Sequence, residues 1–146
     1  YNAQGKLAEV VEPNPNGNGT VAASGNMATS YQYDALNRLT QTTQENQIRK
    51  FKYDSLGRLT RQKLAEQSAT LNDSGQYVGG TGIWSEAFWY DARSNLTMKT
   101  DARGVKTHFS YQSGGADDPL NRLQARWYDL SGPLDTSTTI HYAPAV

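Results

Sequence analysis

One eight-residue pattern recurs along the chain, and any fold must accommodate every copy of it. Tyr1 opens YNAQGKLA, Tyr33 opens YDALNRLT, Tyr53 opens YDSLGRLT, Tyr90 opens YDARSNLT and Tyr128 opens YDLSGPLD. A further copy is stretched: it begins at Tyr111–Gln112 and closes with LNRLQ at 120–124. Successive motif tyrosines are 32, 20, 37, 21 and 17 residues apart. Self-similarity on this scale marks a repeat architecture, in which each copy is one small supersecondary unit stacked on the next. The motifs at 1–8, 33–40, 53–60, 90–97, 111–124 and 128–135 therefore read as one β array over residues 1–146.

Each column of the pattern has a physical meaning. The second holds Asn2, Asp34, Asp54, Asp91 and Asp129. Such side chains cap turns by accepting from backbone amides further along. The fifth holds Gly5, Asn37, Gly57, Ser94 and Gly132, residue types that suit a left-handed backbone. Ser94 departs from this, so Asn95 beside it is expected to take the left-handed place in a shifted turn. The seventh is Leu7, Leu39, Leu59, Leu96 and Leu134, with Leu123 in the stretched copy, where the chain re-enters a buried face.

Two residues before four of the tyrosines stands another aromatic: Tyr31, Phe51, Phe88 or Phe109. Residues two apart on a strand share a face. Val105, Thr107, Phe109 and Tyr111 alternate with Lys106, His108 and Ser110, the period of a half-buried strand. Each unit enters on two aromatics, turns at Asp-x-x-Gly and leaves through Leu-Thr, with return turns expected at Asn46 and Gly104. The expected fold is all-β: antiparallel hairpins in one twisted or spiralling sheet, with 60–70 the one place where a short helix fits. Tyr33, Tyr53, Tyr90 and Tyr111, with their upstream partners, are expected to be largely buried in a shared stack, because strands lie ~4.8 Å apart.

Composition narrows the function. Fourteen basic and fourteen acidic residues cancel, which argues against a nucleic-acid footprint, since that needs a basic face. No apolar run reaches the ~18 residues of a membrane span. The absence of cysteine excludes disulfides and thiolate chemistry. Of two histidines, His108 falls on the polar side of its strand and reads as an exposed strand residue rather than a general base. Asp117–Asp118 reads as a solvated loop pair, and no G-x-S-x-G elbow or phosphate loop occurs. The residues thus offer no catalytic, cofactor-binding or metal site. Asn14, Asn16 and Asn18 lack the carboxylates that a calcium loop needs.

These motifs resemble the RHS/YD-repeat family, whose unit reads approximately Y-D-x-x-G-R-L-T. YDSLGRLT at 53–60 matches every fixed position, and YDALNRLT at 33–40 differs only by Asn for Gly. TDARGVKTHFSY at 100–111 resembles the family's strand between motifs. The family includes bacterial toxin shells, insecticidal toxin-complex components, cell-wall-associated proteins and animal teneurins. The resemblance implies a long antiparallel sheet that spirals, with its turns along the rims, and in toxin members a hollow cocoon around a cargo polypeptide. It implies structural roles for Tyr33, Asp34, Leu39, Tyr53, Asp54, Gly57, Arg58, Leu59, Tyr90, Asp91, Leu96, Tyr111, Tyr128 and Asp129. It also implies an extracellular or cell-surface setting, bacterial in origin.

Two stretches, 12–30 and 65–82, are rich in Gly, Asn and Ser and read as long loops, packed against something if ordered, a neighbouring copy for instance. Trp84, Trp89 and Trp127 suggest a second class of function. Trp89 and Trp127 each adjoin a motif tyrosine, so they point away from the aromatic columns and could contact glycans, as in a cell-surface adhesion module, or another subunit. The chain begins on a repeat tyrosine, and Thr139–Tyr142 resembles an incoming strand with no turn after it. Its expected partners are therefore end-to-end copies of itself or flanking repeats of the same polypeptide.

Overall fold

The computed structural model describes residues 1–13, 27–113, 115–130 and 139–142, with Leu130 and 139–142 described in their backbone only. The strands are β1 Glu9–Glu12, β2 Met27–Tyr33, β3 Leu39–Gln44, β4 Gln47–Tyr53, β5 Leu59–Lys63, β6 Glu86–Tyr90, β7 Leu96–Thr100, β8 Val105–Ser110, β9 Gln112–Ser113, β10 Ala116–Asp117, β11 Ala125–Leu130 and β12 Thr139–Tyr142. Ten of them form one sheet in chain order, every neighbouring pair antiparallel. β9 and β10 form a separate two-residue hairpin. The expected all-β architecture is the one observed. No helix forms at 60–70, where β5 runs into a turn, and among the described residues the one helical turn is Gly79–Thr81.

The connections divide between two rims. One rim carries the YD turns, which join β2 to β3, β4 to β5, β6 to β7 and β8 to β11. The opposite rim carries the short turn at Glu45–Asn46, the segment 64–85 and the turn ending at Gly104. The return turns thus fall at both expected places.

Burial departs from expectation. Leu71 and Ala87 are the buried hydrophobic residues among those described. Tyr31, Tyr33, Phe51, Tyr53, Phe88, Tyr90, Phe109 and Tyr111 are all only half-buried. The reason is geometric. These aromatics sit on alternate strands, β2, β4, β6 and β8, with Tyr111 just past the end of β8, roughly 10 Å apart, beyond the ~4.5–7 Å at which rings pair. Opposite them, the intervening strands place Thr42 against Tyr31, Gln62 against Phe51 and Lys99 against Phe88. Aromatics therefore alternate with polar side chains in place of a continuous stack.

The closed core lies on the other face, where the chain's own segment 64–85 folds over Trp89. Leu71 bridges to both Tyr77 and Trp84. Thr70 Oγ1 donates to the Ala102 carbonyl, and Arg61 Nε donates to the Asp73 carbonyl at 3.2 Å. Two glycines set the fit. A Cβ on Gly75 would lie 2.6 Å from Trp89 Cη2, and one on Gly82 would lie 2.3 Å from the Thr70 carbonyl carbon. The 65–82 stretch thus packs on its own sheet. Of the 12–30 stretch, Glu12 belongs to β1 and Met27–Ser30 to β2. Residues 14–26, with Asn14, Asn16 and Asn18, lie outside the described residues.

Candidate functional site

The functional surface begins with one turn, repeated. At Asn2, Asp34, Asp54, Asn72, Asp91 and Asp101 the backbone N–H donates to the carbonyl four residues on, at 2.8–3.0 Å. The residue three along donates back to the first carbonyl. The side-chain Oδ1 then accepts from two more amides: Gln4 and Lys6, Leu36 and Arg38, Leu56 and Arg58, Ser74 and Gln76, Arg93 and Asn95, Arg103 and Val105. One carboxylate or amide oxygen thereby satisfies two donors that the tight turn would otherwise leave unpaired.

The left-handed residue is always the fourth of that turn: Gly5, Asn37, Gly57, Gly75, Ser94 and Gly104, with φ between +62° and +82°. The turn at Asp91 is not shifted, because Ser94 itself must donate to the Asp91 carbonyl. Gly57 meets nothing within 4 Å of a built Cβ, so only its backbone conformation matters. Gly57→Ala should cost about 1–2 kcal/mol, and Gly57→Asn should recover most of it, as Asn37 fills the same place. Thermal melts of the two variants check this.

Asn72 and Asp101 have no tyrosine before them; the turn at Asp101 is the return turn expected at Gly104, while a search anchored on tyrosine passes over Asn72, although N-x-x-G is legible there. In the stretched copy, Asp118 fills the aspartate column. Its N–H donates to the Tyr111 carbonyl at 2.8 Å, and its Oδ1 accepts from Leu120 N at 2.7 Å. The β9–β10 hairpin is an insertion between Tyr111 and Asp118. Asp118 is 1% exposed, so the solvated pair expected at 117–118 is solvated only at Asp117.

Tyr128 and Asp129 are corrected as well. Both lie inside β11, with Asp129 paired to Lys106 and Thr139. A single strand separates them from the turn at Asp118, so the chain there has crossed to the opposite rim. Gly132 and Leu134 lie outside the described residues.

The closing threonine also has a defined role. Three of the four YD hairpins slip register beside the tyrosine, leaving Thr40, Thr60 and Thr97 without a partner across the ladder. Their hydroxyls donate to the carbonyls of Gln32, Lys52 and Trp89 at 3.1–3.2 Å. A bulge leaves such a group unpaired, and a β-branched hydroxyl beside it supplies the missing bond.

The turns are joined to one another along the rim. Arg38 Nε donates to its own Asp34 at 2.7 Å, while Nη1 reaches the Asp54 carbonyl of the next turn at 2.7 Å. Arg58 does the same, with Nε on Asp54 at 2.7 Å and Nη1 on the Asp91 carbonyl at 2.9 Å. Each guanidinium lies over the next tyrosine, Arg38 over Tyr53 at 5.0 Å and Arg58 over Tyr90 at 4.9 Å, a favourable cation–π placement. In the other direction, the Tyr33 hydroxyl donates to the Leu7 carbonyl at 3.0 Å and the Tyr90 hydroxyl to the Leu59 carbonyl at 2.8 Å. Leu39 and Leu96 occupy the same column, half-buried.

The tryptophans are not free platforms. Trp84 Nε1 donates to Asp73 at 3.1 Å. Trp89 lies under Gly75 with Arg61 over its ring at 4.7 Å. Trp127 stacks on His108 at 5.1 Å, the rings 7° from parallel. His108 is thus half-buried rather than exposed, and burial pulls its pKa down. A cleft of about 410 Å³ is lined by Lys52, Asp54, Arg58, Asp73 and Trp89 among others. Its charges already pair with one another, Lys52 with Asp73 and Arg58 with Asp54. Among the described residues no group of three or more potential metal ligands converges.

Residues 1–49, which hold the first two motifs, match the RHS Repeat family model. The same turn, bulge and rim bonds recur beyond the matched residues, in the copies at Tyr53 and Tyr90. A crystal structure of TcdB2-TccC3-Cdc42 is similar over 84% of this chain at 17% identity, with a TM-score of 0.54. A second, of TcdB2-TccC3-TEV, aligns over 80% of the chain at 13% identity with a TM-score of 0.32. The chain spans only 5% and 6% of those two proteins. The first likeness concerns the fold. A sequence search of curated proteins finds no match.

Proposed function

We propose that this chain is a non-enzymatic structural module, an RHS-repeat segment that builds a β-sheet wall within a larger extracellular assembly. One observation carries the reading: the arginines of the turns at Asp34 and Asp54 each hold the next turn, Arg38 on Asp54 and Arg58 on Asp91. A surface organised this way extends a sheet; it does not gather reactive groups around a substrate. The thin core supports the same reading, because a single-layer sheet with two buried hydrophobic residues among those described gains much from lateral neighbours. The RHS match and the likeness of fold to a much longer protein agree with a segment of an RHS-type shell.

The partners in this reading are further repeats, either flanking ones in the same polypeptide or end-to-end copies. Light scattering on the purified chain over a broad concentration range tests it. Association that grows with concentration is the expected result. A stable monomer at every concentration, with an unchanged melt, would count against a wall-building role. A glycan-binding role has less support, since Trp84 and Trp89 are engaged within the chain.

A further inference from the structure

At two junctions along the rim, the sixth motif position of one turn meets the fifth of the next. Arg58, at a sixth position, donates to the Asp91 carbonyl and to Ser94 Oγ at 3.3 Å, Ser94 being the fifth position of the following turn. Arg38 donates to the Asp54 carbonyl where the fifth position is Gly57, which offers no side chain. At the next junction both positions change together. Asn95 faces Asn121, and their amides exchange two hydrogen bonds, at 2.7 and 2.6 Å.

We infer that the sixth and fifth positions form a pairing code that selects which turn seats beside which along the rim. Arginine takes a turn with glycine or serine at the fifth position, and asparagine takes asparagine. The chemistry is one of reach and complementarity. A guanidinium carries donors only, and its long stem spans the gap to a carbonyl or hydroxyl. A carboxamide is both donor and acceptor, so a second carboxamide completes it, and its short stem does not span to the carbonyl beyond. Mixed junctions leave a donor or acceptor without its match.

Arg122 holds the sixth position of the turn at Asp118. Its Nε and Nη2 contact Asp118 Oδ2 at 3.1 and 3.0 Å, and its side chain is 65% exposed. By the code, its neighbour is a turn of the glycine or serine kind. This inference rests on the structural reading above, but its test lies within one chain and does not depend on assembly.

Two double-mutant cycles read by thermal melting test the code. In the first, Ser94→Asn is made alone and on top of Arg58→Asn. The expected result is a Tm gain from Ser94→Asn that is larger by about 3 °C or more in the Arg58→Asn background than in the natural one. In the second, Asn121→Gly is made alone and on top of Asn95→Arg, with the same sign of coupling expected. The second cycle decides the matter if Arg58→Asn does not fold. Equal shifts in both backgrounds would show that the two positions act independently and would overturn the code.

Discussion

Leu71→Ala is expected to destabilise the chain by about 2–5 kcal/mol, the range for removing a fully enclosed leucine. Leu71 is 0% exposed and bridges to Tyr77 and Trp84 within the 64–85 segment. The cavity cannot easily close, because Gly82 already abuts the Thr70–Leu71 backbone and Gly75 already abuts Trp89. The segment should loosen first, and tryptophan fluorescence should report it, since Trp84 lies in it and Trp89 packs against its Gly75. By comparison Tyr33→Ala, at a half-buried site, should cost less. Denaturant melts on the two variants check the order, and a smaller loss for Leu71→Ala than for Tyr33→Ala would contradict this placement of the core.

Acid should unfold the chain through its turn aspartates. Asp34 is held below the ordinary carboxylate value chiefly by the Arg38 N–H, against the opposing pull of desolvation. At Asp54, Asp91 and Asp118 desolvation pushes upward but is outweighed by hydrogen bonds from Arg58, Asn95 and Arg122 together with backbone amides. Lys52 and Trp84 lower Asp73. A carboxyl whose folded pKa lies below its unfolded value of about 3.9 contributes stability that is fully present above that value. The contribution is lost as pH falls through the folded pKa. His108, lowered by burial against the opposing charge of Asp129, adds a shallower loss that starts as pH falls through about 6.5. The melting temperature should therefore hold at neutral pH, sag slightly below 6.5 and drop steeply below about 4. Asp54→Asn makes the attribution specific. Asn2 and Asn72 hold the same turn with an amide oxygen, so this variant should keep the turn and lose part of the acid slope. An acid profile identical to that of the natural chain would remove Asp54 from the account.

Much of the fold was legible because the repeat fixes strand, turn and strand at once. Asp34, Asp54 and Asp91 cap their turns as their column implied. The aromatic stack was misjudged because a linear pattern shows that two rings share a face but does not show the strand lying between them. Tyr128–Asp129 has the right letters on the wrong rim, since a motif needs an even number of strands since the last one to return to the same side. Asp118 was obscured by the β9–β10 insertion, which separates the tyrosine from its aspartate by a hairpin. Thr40, Thr60 and Thr97 are visible at the close of three motifs, yet their purpose depends on a register slip that no local pattern reveals. The bonds between turns depend on side-chain reach across the rim, which only coordinates supply.

The central claim is that hydrogen-bonded turns, linked along one rim, hold the repeats together as a unit. Native-state hydrogen exchange tests it most directly. The amides of Leu36, Arg38, Leu56, Arg58, Arg93 and Asn95 each donate to a turn aspartate at 2.8–2.9 Å. They should exchange as slowly as the flanking strands β3, β5 and β7, and Arg38→Ala should speed exchange at Leu56 and Arg58 in the neighbouring turn. Turn amides that exchange at the rate of an open loop, with protection confined to the residues around Leu71, would contradict the account.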